Sequence, residues 1–379
     1  IQMPAVPYYG LQQNGIGYID LNSFTVDCSK DVRRAFLEMK KEGMKSLVLD
    51  LRNNGGGSLQ EAINIVNMFV PKGLLLVKTK GKMQRANREY KTTVEPIDTL
   101  IPIVVLVNGE TASSSEITSG SLQDLDRAVV LGSRTYGKGL VQAPMDLPYN
   151  GNLKLTISKY YIPSGRCIQA INYKHSRGGY LEHVPDSLTK EFHTANGRIV
   201  RDGGGISPDV KVLPDSIPNI ALYLVNPGLD STEVMMNWEL DYIKQHPTIG
   251  DPKSFVVSDA DYESFKSAVI KSGFKYDRQS EKAVKNLIDI AKFEGYYDDA
   301  KPEFAALEKK LQHNLAKELD HHKQTIKQLV TADLVAAYYY QRGAIANSLQ
   351  FDKQWKEAVR LLGNIDEYKK ILTPAPNKK

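Results

Sequence analysis

Two segments of this sequence combine residue types suited to covalent chemistry. Ser113 lies in the serine-rich segment 108–116, which follows the apolar run 103–107. Lys138 lies 25 residues further along, between two glycines. A serine hydroxyl is a poor nucleophile until a neighbouring base takes its proton, and a lysine held neutral by burial can be that base. The pair therefore indicates nucleophilic catalysis, with the serine attacking and the lysine accepting the proton.

The turn after the apolar run predicts that Ser113 opens a helix. Backbone N–H groups in a first helical turn lack partners and carry the positive end of the helix dipole, so they stabilise an oxyanion. The N–H of Ser114 is therefore an expected oxyanion donor. The glycine-rich turn 53–57 is expected to supply a second donor or to bind an anion. The alternative is that Ser113 only caps the helix, in a capping box with Glu116.

The glycines beside Lys138 allow other backbone to approach closely and keep bulk away from the amine. If residues 138–142 are extended, Lys138 and Gln142 face the same side, and Gln142 is expected to orient the lysine or a bound carbonyl. A general base near neutral pH needs a lysine pKa of about 7–8. The alternative is a surface lysine in a hairpin turn. The phosphate-binding pattern GxxxxGK[ST] is absent.

The elements that must position these residues alternate between strand and helix over residues 15–215. Apolar runs predict strands, and amphipathic stretches such as 29–42 predict helices between them. This alternation favours an α/β layered core with a largely parallel sheet. After about residue 215 helical periodicity dominates, so residues 216–379 are predicted to form a helical domain.

Composition and short motifs argue against several other classes of function. The chain has 379 residues, enough for two domains, and its net charge of +5 comes without a Lys/Arg cluster or a nucleic-acid motif. No apolar run reaches the roughly 18 residues that a membrane helix needs.

Cys28 and Cys167 form no CxxC pair and are expected to be free buried thiols, with one disulfide as the alternative. The seven histidines form no HExxH motif.

Five ordered motifs resemble those of the C-terminal processing peptidases, also called tail-specific proteases. They are LDLRNNGGG at 49–57, TASSSEI at 111–117, TYGKG at 135–139 followed by Gln142, KYYIPSG at 159–165 and DGGGISPD at 202–209. The resemblance covers about residues 15–215 and implies a crotonase/ClpP-like core. It implies Ser113 as nucleophile, Lys138 as general base and Gln142 as its support. The implied oxyanion hole is the N–H of Ser114 with one N–H from residues 55–57, of which that of Gly56 is favoured, and no metal or nucleotide is needed.

The same resemblance implies protein substrates, cut near or from an apolar C-terminus through an acyl-enzyme. It also implies an extracytoplasmic location such as the periplasm, often with a lipid anchor. Members of this family carry a PDZ domain upstream of the strand at 17–19. Residues 1–14 are interpreted as the last strand and linker of such a domain, and the domain itself is expected to be missing from this chain. The helical domain is a candidate dimerisation surface.

Two other functions are open to a chain of this pattern. A crotonase-type acyl-CoA enzyme would share the core and a two-donor oxyanion hole, but it has no use for a serine–lysine pair. A catalytically silent scaffold, binding through its helical domain, would be marked by loss of Ser113 or Lys138. Both residues are present, which favours the peptidase.

Overall fold

The computed structural model describes residues 3–172, 180–181, 186–226, 228–229, 232–311 and 314–374. The chain forms two compact units. The first comprises Ile1–Pro214 with Asp352–Lys379, and the second comprises Asp215–Phe351. The second unit is therefore inserted into the sequence of the first. The prediction placed all of 216–379 in one helical domain, and the grouping of 352–379 with the first unit is a departure from it.

The strands within the described residues are β1 Tyr8–Leu11, β2 Ile16–Asp20, β3 Ser46–Asp50, β4 Leu75–Lys80, β5 Arg88–Lys91, β6 Ile103–Val107, β7 Val129–Gly132, β8 Leu140–Leu147, β9 Gly151–Tyr161, β10 Ile171–Asn172, β11 Tyr180–Leu181, β12 Glu191–His193, β13 Ile199–Arg201 and β14 Val210–Lys211. The helices are α1 Cys28–Lys41, α2 Leu59–Asn67, α3 Ser114–Asp124, α4 Asn219–Val225, α5 Val234–Gln245, α6 Asp259–Lys271, α7 Gln279–Glu294, α8 Lys301–Leu311, α9 Leu315–His321, α10 Lys323–Ser348, α11 Lys353–Gly363 and α12 Ile365–Ile371.

A six-stranded sheet in the order β1-β2-β3-β6-β7-β14 forms the centre of the first unit. All its pairs are parallel except β1 with β2. Strands β3 and β6 are buried along their whole length, as expected for parallel strands covered on both faces. The predicted α/β layered core is confirmed. Tyr8–Leu11 pairs with β2 in this sheet, so part of the segment interpreted as a linker belongs to the core.

A second sheet, in the order β5-β4-β9-β8, is antiparallel. The turn between β8 and β9 spans only residues 148–150, and so short a connection can join only antiparallel strands. The periodicity at 139–146 and 153–162 predicted these strands. It did not predict that they pair with β4 outside the parallel sheet, because a hydrophobic pattern does not specify its strand partner.

The second unit is helical, and its core is assembled from α4–α6, α9 and α10. Leu319, Ile326 and Leu334 are buried apolar side chains within the region of helical periodicity that the sequence predicted after about residue 215. Tyr262 in α6 donates its hydroxyl to the carbonyl of Leu319 at 2.6 Å, which joins α6 to α9. No helix in the described residues is long and apolar enough to cross a membrane.

Helices α11 and α12 return to the first unit after the helical insertion. Trp355, Ala358 and Leu361 form a buried stripe at three-residue steps along α11. The Trp355 ring meets the edge of Tyr18 in β2, with centroids 5.3 Å apart. The amphipathic pattern of this segment predicted a buried face, but a pattern alone does not identify the surface that covers it.

The hydroxyl of Tyr368 in α12 makes two buried hydrogen bonds to β6. It accepts from the N–H of Ile103 and donates to the carbonyl of the same residue, both at 3.0 Å. Replacement by phenylalanine keeps the ring but leaves a buried strand N–H and C=O without this partner. The two contacts connect the end of the chain to the centre of the parallel sheet.

We expect Tyr368→Phe to lower the free energy of unfolding of the first unit by about 1–3 kcal/mol, the cost of unpaired buried polar groups. Urea unfolding followed by Trp355 fluorescence, in a Trp238→Phe background, reports on this unit. Tyr340→Phe is the matched control, since the Tyr340 side chain is exposed. Equal loss of stability in both variants would contradict the role assigned to the Tyr368 hydroxyl.

Candidate active site

A cleft of about 330 Å³ in the first unit contains the residues that the sequence singled out. Gly56, Ser113, Ser114, Lys138 and Gln142 all line it. Strands β3 and β6 are parallel neighbours, so the loops after their carboxyl ends lie side by side. One loop carries the glycines at 55–57 and the other carries Ser113. The structure thus brings all five predicted residues together.

Ser113 occupies a strained backbone conformation at the start of α3, with φ 57° and ψ −114°. Left-handed backbone of this kind costs a side-chain-bearing residue about 1–3 kcal/mol and persists only where surrounding contacts enforce it. Thr111 supplies one such contact, because its hydroxyl donates to the Leu51 carbonyl at 2.8 Å and accepts from the Asn108 N–H at 2.9 Å. The turn therefore presents Ser113 to the cleft at the expense of local strain.

The carboxylate of Glu116 is fully buried and accepts four hydrogen bonds. Its donors are the backbone N–H groups of Ser113 (2.9 Å), Gly137 (2.7 Å) and Lys138 (2.9 Å) and the hydroxyl of Thr135 (2.6 Å). Burial raises the pKa of Glu116, and these hydrogen bonds oppose the rise. The sequence predicted Glu116 only as part of a cap. In the structure it joins the backbone of the serine to the backbone of the lysine.

Tyr160 makes a second connection between the same two residues. Its buried hydroxyl lies 2.6 Å from the carbonyl of Lys138 and 3.3 Å from that of Ser113. Burial raises the pKa of Tyr160 well above its ordinary value, so the phenol stays protonated and donates. Sequence reasoning included Tyr160 only within a motif, since nothing in the pattern showed that β9 passes beneath the cleft.

Lys138 lies in the loop that enters β8, and its two flanking glycines pack against residues 169–170. The Ala170 N–H donates to the Gly137 carbonyl at 2.9 Å, and the Gly139 N–H donates to the Gln169 side chain at 2.6 Å. A Cβ atom at Gly139 would lie 2.8 Å from the Gln169 nitrogen. The predicted close approach of backbone is confirmed. No carboxylate of the described residues forms an ion pair with Lys138.

Among the described residues, the backbone N–H groups of Gly55, Gly57 and Ser114 line the cleft and donate to no protein acceptor. Gly56 packs directly against the serine turn, because a Cβ atom there would lie 2.7 Å from the Ala112 carbonyl oxygen. Its own N–H, however, donates to the side chain of Asn54 at 2.9 Å. The expected Gly56 donor is therefore engaged, and its neighbours Gly55 and Gly57 each offer an unengaged N–H.

The loop that carries these glycines is anchored by a buried network around Arg52. Its guanidinium pairs with Asp50 in β3 and, at 2.6 Å, with Asp352 before α11. It also donates to the Gln354 side chain at 3.0 Å, a contact across 302 residues of sequence. Tyr18 donates to Asp50 at 2.6 Å. The segment 352–354 thus reaches the loop that precedes the cleft, which no local sequence signal indicated.

Asn54 connects this network to the serine turn. Its carbonyl accepts from the Ala112 N–H at 3.0 Å and from the Ser115 hydroxyl at 2.9 Å. Its side-chain amide donates to the Leu21 carbonyl at 2.6 Å. Residues on three loops at the carboxyl ends of β2, β3 and β6 are held by this one buried side chain and its backbone.

The two cysteines are free thiols, Cys28 buried and Cys167 half-buried. Burial, together with the charge and hydrogen bond of Glu61, raises the pKa of Cys28 to about 12. Among the described residues, no group of three His, Cys, Asp or Glu side chains is arranged to hold a metal ion. Neither cysteine lines the cleft.

Residues 15–175 match the profile of peptidase family S41. The chain contains a peptidase family S41 domain. Residues 225–362 match a second profile, described as the C-terminal helical domain of a probable PDZ-protease. The predicted family and its α/β core with a following helical domain are therefore confirmed.

Curated relatives share the S41 region. A chloroplastic C-terminal processing peptidase of Tetradesmus obliquus is 37% identical over 162 residues, which are 43% of this chain and 34% of that protein. A carboxy-terminal-processing protease of Bartonella bacilliformis is 39% identical over 175 residues, 45% of this chain and 40% of that protein. The chain thus matches about a third to two fifths of the length of these relatives.

A solved structure of a photosystem II D1 C-terminal processing protease is 31% identical in sequence. The alignment covers 55% of this chain and 46% of that one, with a TM-score of 0.40.

We expect Glu116→Gln in this S41 domain to lower the rate of Ser113 labelling by a fluorophosphonate at least tenfold. An amide keeps one acceptor oxygen and turns its NH₂ toward two of the four donors, either the N–H groups of Ser113 and Lys138 or the N–H of Gly137 and the hydroxyl of Thr135. In either orientation one end of the connection between the serine and lysine segments loses its acceptor. The same clash lowers the free energy of unfolding by about 2–4 kcal/mol. Glu110→Gln is the control, since Glu110 is exposed on the preceding turn. Labelling of Glu116→Gln at the wild-type rate would contradict the role of Glu116 in positioning Ser113 and Lys138.

The carboxyl of Asp20 gives the S41 domain a predictable pH dependence. Burial and the charge of Asp50 raise the pKa of Asp20 to about 7, against about 3.9 in the unfolded chain. The folded state thus favours the protonated form. Its stabilisation is complete below about pH 4 and is lost as the pH rises to about 7, by about 1.4 kcal/mol per pH unit.

Asp20→Asn should remove this slope, because an amide mimics the protonated carboxyl at every pH. The measurement is the free energy of unfolding by urea from pH 4 to 8, followed by Trp355 fluorescence. Asp27→Asn is the control, since Asp27 is exposed. Parallel pH profiles for wild type and Asp20→Asn would show that Asp20 is ionised in the fold.

Proposed function

We propose that this chain is a serine endopeptidase of the C-terminal processing type, with Ser113 as nucleophile and Lys138 as general base. The observation that carries the proposal is their common cleft. Ser113 lies at a strained helix start, Lys138 has no ion-pair partner among the described residues, and the N–H groups of Ser114 and of two glycines in the 55–57 loop are unengaged. Serine peptidases need these three components: a nucleophile, a base and oxyanion donors.

The reaction follows from these positions. Lys138 in its neutral form takes the proton of the Ser113 hydroxyl as the oxygen attacks the scissile carbonyl carbon. The N–H of Ser114 and one from the 55–57 loop stabilise the tetrahedral oxyanion. The lysine returns the proton to the leaving amine, which leaves an ester on Ser113. Water then attacks the ester, with the lysine again as base, and the serine is regenerated.

The lining of the cleft supports an apolar residue before the scissile bond. Leu59 and Ile117 line it, and such side chains recognise apolar groups through burial. Gln142, at the third position of β8, is proposed to support Lys138 or a substrate carbonyl. Substrates would be proteins with apolar C-termini, met on an extracytoplasmic face such as the periplasm. Pairing of chains through the helical unit is a further part of this proposal.

Ser113→Ala and Lys138→Ala should each lower the cleavage of an unfolded protein at least 10³-fold, because removal of a nucleophile or its base abolishes the covalent route. Lys138→Arg should be equally inactive, since a guanidinium does not give up its proton. Mass spectrometry of the products measures rates and identifies the new C-termini, which should be apolar.

Lys72→Ala is the control for lysine loss at an exposed position away from the cleft. Cleavage by all variants would indicate a contaminating protease. Cleavage by Lys138→Arg but not by Ser113→Ala would refute lysine as the base while keeping the serine. Absence of cleavage by the wild type, with fluorophosphonate labelling also absent, would refute the proposed function.

A further inference from the structure

The cleft around Ser113 has an electrostatic feature that the serine–lysine chemistry does not use. Two lysines line it, Lys138 and Lys154, and no carboxylate is among its described lining residues. Lys154 projects from the exposed part of β9 and forms no ion pair with the described residues. An unpaired cation at the rim of a cleft that binds peptides favours substrates that bring an anion to that place.

The cleft runs along the edge of a strand. Leu140, Val141 and Gln142 are consecutive residues of β8, and all three line the cleft. Successive side chains of a strand point to opposite faces, so three in a row reach one cleft only if it follows the strand edge. In the described residues β8 pairs with β9 alone, and its other edge is open. An extended peptide can pair with such an edge through its main chain.

The strand register gives the distance between the catalytic pair and Lys154. Lys154 lies opposite Pro144, which is six residues after Lys138 in sequence and four residues after Leu140, the first residue of β8. At about 3.3 Å per residue, six extended residues span roughly 20 Å. The two lysine side chains can reach toward each other, so the distance between their amines corresponds to about three to five residues of an extended substrate. The acidic residue on the same face, Asp146, lies one pair further out, opposite Asn152.

We propose that Lys154 is a carboxylate-binding subsite for the part of the substrate that leaves, about three to five residues after the scissile bond. The inference rests on the proposed function, and it deepens it by naming what is bound beyond the cut. In a C-terminal segment of that length the carboxylate is the α-carboxylate of the last residue. An acidic side chain at the same distance presents the same chemistry, and the two sources are distinguished below.

The size of the effect follows from the exposure of Lys154. A solvent-exposed ion pair contributes modestly and is screened by salt. We therefore expect a free carboxylate to improve peptide binding about three- to tenfold at low ionic strength, with the gain shrinking in 0.5 M salt. This subsite adds length and charge preference to a cleft whose apolar lining selects the residue at the cut.

Binding to Ser113→Ala tests the subsite without cleavage. The probe is a peptide labelled at its N-terminus, with leucine followed by four alanines, as free acid and as C-terminal amide. Fluorescence anisotropy should show three- to tenfold tighter binding of the acid. Adding Lys154→Met should remove the difference, Lys154→Arg should keep it, and Lys72→Met should not change it. An amide peptide with glutamate in the last position tests whether a side-chain carboxylate substitutes.

Each outcome decides the proposal. Equal binding of acid and amide, a difference that survives Lys154→Met, or no binding of either peptide overturns it. Binding of the glutamate amide as tightly as the acid supports it, with charge rather than chain end as the recognised feature. Cleavage by the wild type is measured separately. If the wild type cleaves neither peptide nor protein, the proposed function fails, while the acid–amide difference still decides the role of Lys154.

Discussion

The site depends on one buried carboxylate. Glu116 accepts hydrogen bonds from the backbones of Ser113 and Lys138, so the two catalytic candidates are positioned through their main chains and their side chains stay available. Taking a carboxylate out of water is costly unless hydrogen bonds compensate it. Here four donors do so, and the requirement to satisfy them fixes the loop at 135–138 against the start of α3. A shift of either segment would take one or more of these donors away from a buried charge.

Parallel strand topology supplies the second constraint. The carboxyl ends of adjacent parallel strands meet at one edge of a sheet, so the glycine loop after β3 and the serine turn after β6 lie together without any direct sequence link. Asn54 fixes the two loops relative to each other, because it accepts hydrogen bonds from backbone N–H groups of both. The strain at Ser113 is sustained by these contacts, which is why a left-handed serine persists at a helix start.

Much of this arrangement was predictable from local pattern. Apolar runs predicted the parallel strands, and the glycines beside Lys138 predicted the close backbone approach that Ala170 makes. The roles of Glu116 and Tyr160 were not accessible in the same way. Each depends on contacts between segments far apart in sequence, and a cap or a strand tyrosine looks the same whether or not such contacts form. The engagement of the Gly56 N–H by Asn54 is a matter of side-chain geometry that spacing does not encode.

The return of α11 to the first unit has a consequence for biosynthesis. Arg52 can contact Asp352 and Gln354 only after the 302 residues that separate Arg52 from Gln354 have been translated. Translation of that length takes roughly 15 to 60 s at ribosomal rates. Until then Arg52 has Asp50 as its ionic partner but lacks the contacts from the returning segment. The loop before the cleft therefore reaches its final form late, when nearly all the described chain has left the ribosome. The order of translation thereby separates synthesis of the polypeptide from completion of the cleft.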